Sequence, residues 1–336
     1  DMITIKIKNK KIGELHPVFV IAEVGINHNG DKNIAKKLIK MAKNAGADAV
    51  KFQTFKAEDF VSKNSKYYSL FKKLELSDDV FRELAKFSKK QGIIFLSTPF
   101  SEKAVDLLAE CNCNAFKIAS GDLTNIPLIK YAAKKQKPMI ISTGMSTLEE
   151  IKEAVKSIKS QKNNQIILLH SISGYPTPLE ESNLNSIPFL SKKFPYPIGF
   201  SDNGSSKIVP QVASALGACV IEKHFTFDKN AKGPDHQISS NVKELTEIIK
   251  NIKNIKKTLG NYEKTYQKCE KENRIYARRG IVANQDIKKN SIIKEDMISI
   301  KRPALGIPPK DIKKIFNKMT KRKIKSDEPI NWKDLM

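Results

Sequence analysis

A (β/α)8 TIM barrel followed by a small, mostly β domain is the fold that the sequence predicts. Three observations predict it. Short runs rich in Ile, Val, Phe or Ala recur along residues 1–260, at 18–24, 49–53, 93–97, 115–119, 139–142, 166–170, 198–201 and 219–222. Stretches with the three-to-four-residue apolar spacing of amphipathic helices separate them. The rhythm stops at Gly260, after which short β-like runs and prolines take over. Runs that are apolar on both faces suit parallel strands covered by helices, and eight even β–α alternations close a barrel. A doubly wound sheet is the alternative, but no G-x-G-x-x-G follows the first run.

Taken in order, the start alternates apolar and polar residues from Met2 to Lys8 and turns at 9–11, as a strand and hairpin do. The helical stretches are 31–45, 78–91, 102–110, 127–135, 148–160, 183–193, 207–216 and 242–259. In the first, Ile34, Leu38, Met41 and Ala42 form one stripe, and Asp31 sits where a helix cap belongs. Residues 261–277 are charged and read as a linker. Residues 278–336 carry β runs at 280–283, 291–293, 297–300 and 323–324. So short a domain has a marginal core and needs a surface to dock on.

Composition excludes several classes. The formal charge is +24, from 60 Lys and Arg against 36 Asp and Glu. Arginine is confined to Arg82, Arg274, Arg278, Arg279, Arg302 and Arg322. A lysine-dominated, dispersed surface lacks the bidentate arginine contacts of a nucleic-acid reader. No apolar run reaches the roughly 18 residues of a membrane span, and the start has no signal-peptide apolar block. The cysteines, including Cys111 and Cys113, lack metal-site or redox spacing, as expected of thiols in a reducing cytoplasm.

In such a barrel the chemistry sits where the strands end. The runs end in Glu23, in Lys51 and Gln53, in Ser97-Thr98-Pro99, in Lys117 with Ser120-Gly121-Asp122, in Ser142-Thr143-Gly144, in His170 with Ser171 and Ser173, in Ser201-Asp202-Asn203, and in Glu222 and His224. Alternation along a strand points Glu222 and His224 the same way, as a pair that could bind metal or move protons. A buried, unpaired ammonium is costly. Lys51 and Lys117 are therefore expected to hold an anionic substrate, together with the hydroxyls of Thr98, Ser120 and Ser142, rather than to be paired with neighbouring carboxylates. Glu23 is the candidate general acid or base.

These motifs carry a specific resemblance. Ala22-Glu23-Val24-Gly25-Ile26-Asn27-His28-Asn29-Gly30, Lys51-Phe52-Gln53-Thr54, Phe116-Lys117-Ile118-Ala119-Ser120-Gly121-Asp122 and Ile221-Glu222-Lys223-His224-Phe225-Thr226 resemble the sialic acid synthase family, of the N-acetylneuraminate and N,N'-diacetyllegionaminate synthase type. Lys301-Arg302-Pro303-Ala304-Leu305-Gly306-Ile307 resembles that family's antifreeze-like (β-clip, SAF) domain. The resemblance implies condensation of phosphoenolpyruvate with an open-chain N-acetylated amino sugar, giving a nine-carbon 2-keto acid and phosphate. It also implies a divalent metal (manganese or magnesium) and a cytoplasmic, domain-swapped homodimer. By motif, Lys51, Thr98, Lys117, Ser120, Ser142, Ser173 and Ser201 would hold phosphoenolpyruvate. Gln53, Asp122, Tyr175 and Asp235, with Arg302 of the partner subunit, would face the sugar. Glu23 would move the proton, and His224 with Asn203 would hold the metal.

Two positions depart from the family pattern. Asn203 stands where a second metal-binding His is usual, and an amide oxygen suits a harder ion than imidazole does. Ser173 stands where neuraminate enzymes often place Asn. Gly233-Pro234-Asp235-His236 and residues 51–57 lean toward the legionaminate branch and its 2,4-diacetamido-trideoxy sugar. The rivals are another phosphoenolpyruvate-dependent 3-deoxy-2-keto sugar acid synthase, which would generally lack the C-terminal domain, and a glycan-binding homologue without catalysis.

Overall fold

The computed structural model describes residues 3–336; Met2, where the N-terminal alternation begins, lies outside them. A hairpin of β1 (Ile5–Ile7) and β2 (Lys10–Ile12) comes first. The apolar runs then become eight parallel strands: β3 (Phe19–Gly25), β4 (Ala49–Thr54), β5 (Ile94–Pro99), β6 (Phe116–Ile118), β7 (Met139–Ser142), β8 (Ile166–Ser171), β9 (Ile198–Asp202) and β10 (Val220–His224). They pair in sequence order, and β10 returns to β3 to close the barrel. Every residue of β3 is buried, as a strand between a filled interior and a ring of helices must be.

The helices are α1 (Lys32–Ala45), α2 (Ala57–Phe60), α3 (Tyr68–Leu74), α4 (Asp78–Gln91), α5 (Glu102–Glu110), α6 (Ile126–Lys134), α7 (Leu148–Ser160), α8 (Ser186–Lys193), α9 (Ile208–Ala215) and α10 (Val242–Leu259). Their ends follow local chemistry. Asp31 accepts from the amides of Asn33 and Ile34, and Thr147 and Asn241 close reciprocal capping boxes with Glu150 and Glu244. Leu38, Ile39 and Ala42 of α1 bury their stripe against the strands. The short helices α2 and α3 lie in the connection after β4, which the apolar periodicity did not single out. They are held by a separate aromatic cluster: Phe55 and Phe60 meet both Phe71 and Phe100, with the Phe60 and Phe100 rings 4.4 Å apart.

The chain divides into two compact units, Asp1–Gly260 and Asn261–Met336. Residues 268–276 of the expected linker are helical, in a 3-10 turn (Lys268–Glu270) and α11 (Lys271–Tyr276). They belong to the second unit, where the Ala304 amide donates to the Ile275 carbonyl at 2.8 Å. That unit pairs β11 (Gly280–Ala283) with β12 (Ile298–Lys301). The expected runs at 291–293 and 323–324 form only isolated bridges, Ile292 to Met319 and Ile287 to Ile324. Their side chains still serve the core, because Ile287, Ile293, Ile307, Ile315, Ile324 and Ile330 are buried together. Among the described residues, no helix is long and apolar enough to cross a membrane.

Candidate active site

Strand register decides which polar ends meet. Glu23 of β3 pairs in register with Lys51 on one side and with His224 on the other, and Glu222 of β10 pairs with Ser201 of β9. The result is a cleft at the carboxyl ends of the strands lined by Glu23, Lys51, Thr98, Lys117, Glu222 and His224. Gln53, Ser120, Ser142, Tyr175, Ser201 and Asn203 line it as well, with Phe100, Ala119 and Ser171.

At its centre the charges alternate. Lys51 Nζ lies 2.7 Å from Glu23 Oε2 and 3.7 Å from Glu222 Oε2, and Lys117 Nζ lies 3.5 Å from Glu222 Oε1. All four residues are nearly inaccessible, at 2–4% exposure. This corrects the sequence expectation: both lysines are paired with neighbouring carboxylates. An uncompensated charge at this depth would be prohibitively costly, so the barrel carries its own counterions. Glu222 is the residue the strand-end reading undervalued, since it was paired there only with His224. Its pairing with the lysines follows from the β10–β3–β4 register, which no local pattern in the sequence carries.

The hydroxyls complete the lining. Lys51 donates to Thr98 Oγ1 at 3.1 Å, and Ser201 donates to Glu222 Oε1 at 2.9 Å. The Gly144 amide donates to Ser120 Oγ at 3.1 Å. A Cβ on Gly144 would fall 2.5 Å from Ser173 Oγ and 2.8 Å from Ser120 Oγ, so these two hydroxyls and one amide converge only because residue 144 has no side chain. Gln53 Nε2 donates to Glu23 Oε1 at 3.4 Å, and the Tyr175 ring meets the His224 ring edge-on at 6.0 Å. Asp235 exerts its charge on the Tyr175 hydroxyl, although it does not line the cleft. Asp122 also stands outside the lining, accepting from Asn125 Nδ2 at 3.2 Å. Arg302 belongs to the second unit, just past β12, and is exposed.

Burial and neighbouring charge set the protonation states. Desolvation raises the Glu23 carboxyl to about 7, against the pull of Lys51 and with help from Glu222. Burial brings Lys117 down to about 8 despite the nearby Glu222. Burial also pulls Lys51 downward, but Glu222 and Glu23 outweigh it and hold this lysine above the ordinary range. For Glu222, burial is outweighed by Lys117 and Lys51, which keep it ionised. Burial, reinforced by Lys51 and Lys223, lowers His224 to about 3, so its imidazole is neutral at pH 7. Among the described residues, four buried atoms of the lining lack hydrogen-bond partners, namely Glu23 Oε2, Ser142 Oγ, Glu222 Oε2 and His224 Nδ1. In a well-paired interior such atoms mark where a ligand completes the pairing.

The turn after β3 is structural. Asn27 Nδ2 donates to the Phe225 carbonyl and to Ser239 Oγ, tying the β3 turn to the segment after β10. Gly30 has φ +76°, and a Cβ there would lie 2.5 Å from the Lys73 carbonyl oxygen. The chain therefore presents a (β/α)8 barrel whose strand ends gather a carboxyl raised to about 7, two lysines and a neutral imidazole around a cluster of hydroxyls. That is the constitution of a barrel enzyme for an anionic substrate.

Comparison with known proteins gives the family. The NeuB family model matches residues 38–264, and the SAF domain model matches residues 278–336. An uncharacterized protein of Methanocaldococcus jannaschii is 50% identical over 99% of this chain and 98% of its own length. The N,N'-diacetyllegionaminic acid synthase of Campylobacter jejuni is 42% identical over 93% of this chain and 98% of its own. The N-acetylneuraminic acid (sialic acid) synthetase of Leptospira borgpetersenii, solved in complex with citrate, is 38% identical, with a TM-score of 0.78 over 81% of this chain and 95% of its own. The chain belongs to the NeuB family and is an enzyme of that family.

Proposed function

We propose that this enzyme condenses phosphoenolpyruvate with the open-chain form of an N-acetylated amino sugar, releasing phosphate and forming a nine-carbon 2-keto acid of the sialic acid type. The observation that carries the reading is the buried Glu23–Lys51–Glu222–Lys117 array beside the Ser120, Ser173 and Gly144 donors. In this reading Lys51, Thr98, Lys117, Ser120, Ser142, Ser173 and Ser201 hold phosphoenolpyruvate. Gln53, Asp122, Tyr175 and Asp235 face the sugar, and Arg302 of the partner subunit reaches its acyl group in a domain-swapped homodimer. Relatives named for N,N'-diacetyllegionaminic acid favour a 2,4-diacetamido sugar as acceptor.

The chain's own groups supply a coherent mechanism. Lys51 and Lys117 fix the anion so that C3 of the enolate-like carbon pair faces the sugar carbonyl, which turns a bimolecular encounter into a positioned one. The new carbon–carbon bond leaves positive character at C2. Water adds at C2, and the C2–O bond to phosphate breaks. Glu23, raised to about 7, takes and returns protons in these steps, because a group titrating near neutrality serves as both base and acid. Lysine and hydroxyl donors around the departing phosphate stabilise its charge.

No group of three or more His, Cys, Asp or Glu that could hold a metal is gathered among the described residues, but two side chains offer ligand atoms for a divalent ion, manganese or magnesium. His224 is neutral, and its buried Nδ1 has no partner. Asn203 spends its Nδ2 on Ser171 Oγ and the Ile172 carbonyl, which leaves its amide oxygen as the ligand atom. A metal bound there would supply Lewis-acid polarisation of the sugar carbonyl.

The deciding experiment is incubation with phosphoenolpyruvate and, in parallel, N-acetylmannosamine or 2,4-diacetamido-2,4,6-trideoxymannose, with mass detection of the keto acid. Phosphate release that depends on one of these sugars, with a matching nine-carbon product, is the expected result. Activity only with an unacylated sugar phosphate would reassign the enzyme to a different keto-acid synthase.

The low Lys117 value carries a pH signature. Lysine binds an anion only when protonated, so anion capture weakens as pH rises through about 8. We expect kcat/KM for phosphoenolpyruvate to fall above that pH by about tenfold per unit. Lys117→Arg, which keeps its charge, should lose this limb even though its overall activity is lower. A wild-type profile flat to pH 9.5 would refute the assignment.

A further inference from the structure

A roomy cleft in the barrel unit is at the opposite end from the active site. It encloses about 490 Å³ where the chain enters β3, beside the Gly46–Asp48 turn and the last turns of α10. One wall is apolar, made by Leu15, Pro17, Val18, Ile249 and Ile252. Leu15 is 92% exposed, an aliphatic side chain held in water at the mouth. Burying it would gain free energy that the free protein forgoes.

The rim is cationic. Lys253, Lys256 and Lys257 rise from α10, and Lys10 faces them from β2. Asp48 is the lining carboxylate, and it is already engaged by Lys10 at 2.6 Å and by the Val20 amide at 2.9 Å. Lys256 is fixed to the Glu14 carbonyl at 2.6 Å. Lys253 and Lys257, one helical turn apart, make no salt bridge among the described residues. Cations in a last helical turn favour the helix dipole, which accounts for lysine there. It does not account for their standing over an apolar trough with an exposed leucine at its lip, while like charges at this spacing repel each other.

We propose that this cleft is a second ligand site, for a small amphipathic anion. The apolar body lies along Leu15, Val18 and Ile252, and a carboxylate, sulfonate or phosphate head sits between Lys253 and Lys257. The size is that of an ordinary small-molecule pocket, and the combination of an apolar floor with a few convergent polar groups is what such pockets present. The site is separate from the proposed synthase chemistry, since Val18 and Asp48 lie at the amino ends of β3 and β4, whose far ends carry Glu23 and Lys51.

The test uses the full chain and a fluorescent probe of matching chemistry, anilinonaphthalene sulfonate, with neutral N-phenylnaphthylamine as its uncharged counterpart. Saturable binding of the sulfonate at one site per chain is expected. Lys253→Glu/Lys257→Glu should weaken it by about tenfold, and Leu15→Asp by a similar factor. Lys86→Glu/Lys90→Glu, an equally spaced exposed pair on α4, should leave it unchanged, and so should saturating phosphoenolpyruvate. The neutral probe should bind more weakly and ignore the lysine changes. Equal weakening by the α4 control, displacement by phosphoenolpyruvate, or indifference to both cleft variants would overturn the proposal. All of the changed residues are exposed, so melting temperatures near that of the wild type would show that the variants remain folded.

Discussion

Glu23→Gln is expected to lower turnover by about a thousandfold while leaving the barrel folded. The substitution keeps the shape of the side chain and an oxygen for Lys51, which retains Glu222 as its ionic partner 3.7 Å away. It removes the one carboxyl of the cleft that burial holds near neutrality, so the proton has no exchangeable seat during addition of water and departure of phosphate. Phosphate release from phosphoenolpyruvate in the presence of sugar is the measurement, with thermal melting as the control for folding. Phosphoenolpyruvate should still bind, because the lysines and hydroxyls proposed to grip it are intact. Wild-type turnover in this variant would remove Glu23 from the chemistry.

The second large effect concerns stability. Lys223 sits between Glu222 and His224 but points to the other face of β10, where it is 1% exposed. Its Nζ donates to Asp202 Oδ2 at 2.8 Å and also to the Gly204 carbonyl. Asp202 in turn accepts from the Gly204 amide at 2.9 Å. This buried pair fixes the turn that carries Asn203 into the cleft. Lys223→Met should destabilise the protein by about 3–5 kcal/mol, because Asp202 is left charged and unpaired in a dry setting. At roughly 2–4 °C per kcal/mol for a domain of this size, melting should fall by about 10 °C. The double variant Lys223→Met/Asp202→Asn should recover much of that loss, since it removes both charges. If Lys223→Met melted within about 2 °C of the wild type, the pair would not be the anchor described here.

The two effects mark where sequence reading succeeds. Strand and helix assignments came from periodicity, a property of neighbouring residues, so the barrel strands and most of its helices were legible. So was the family, because its motifs lie in contiguous stretches such as Gly25–Gly30 and Phe116–Asp122. The connection after β4 was less legible. Phe55, Phe60 and Phe71 are scattered among polar residues, and only their meeting with one another and of Phe55 and Phe60 with Phe100 makes α2 and α3 part of a packed unit. The second unit was less regular than its β-rich sequence suggests, because its isoleucines are buried from turns and single bridges instead of long ladders.

For the site, the sequence by itself determined which residue types stand at each strand end: Glu23, Lys51, Thr98, Lys117, Ser142, Ser201, Glu222 and His224. Only the tertiary structure decided who partners whom. Closure of β10 onto β3 brings Glu222 within reach of both Lys51 and Lys117, and their mutual neutrality allows so many charges to be buried. The same register sends Lys223 outward to Asp202 while its neighbours face the cleft. Pattern along a chain reports the face a residue occupies. Its ionic partner depends on the alignment of strands far apart in sequence, and the cost of burying an unpaired charge makes that alignment selective.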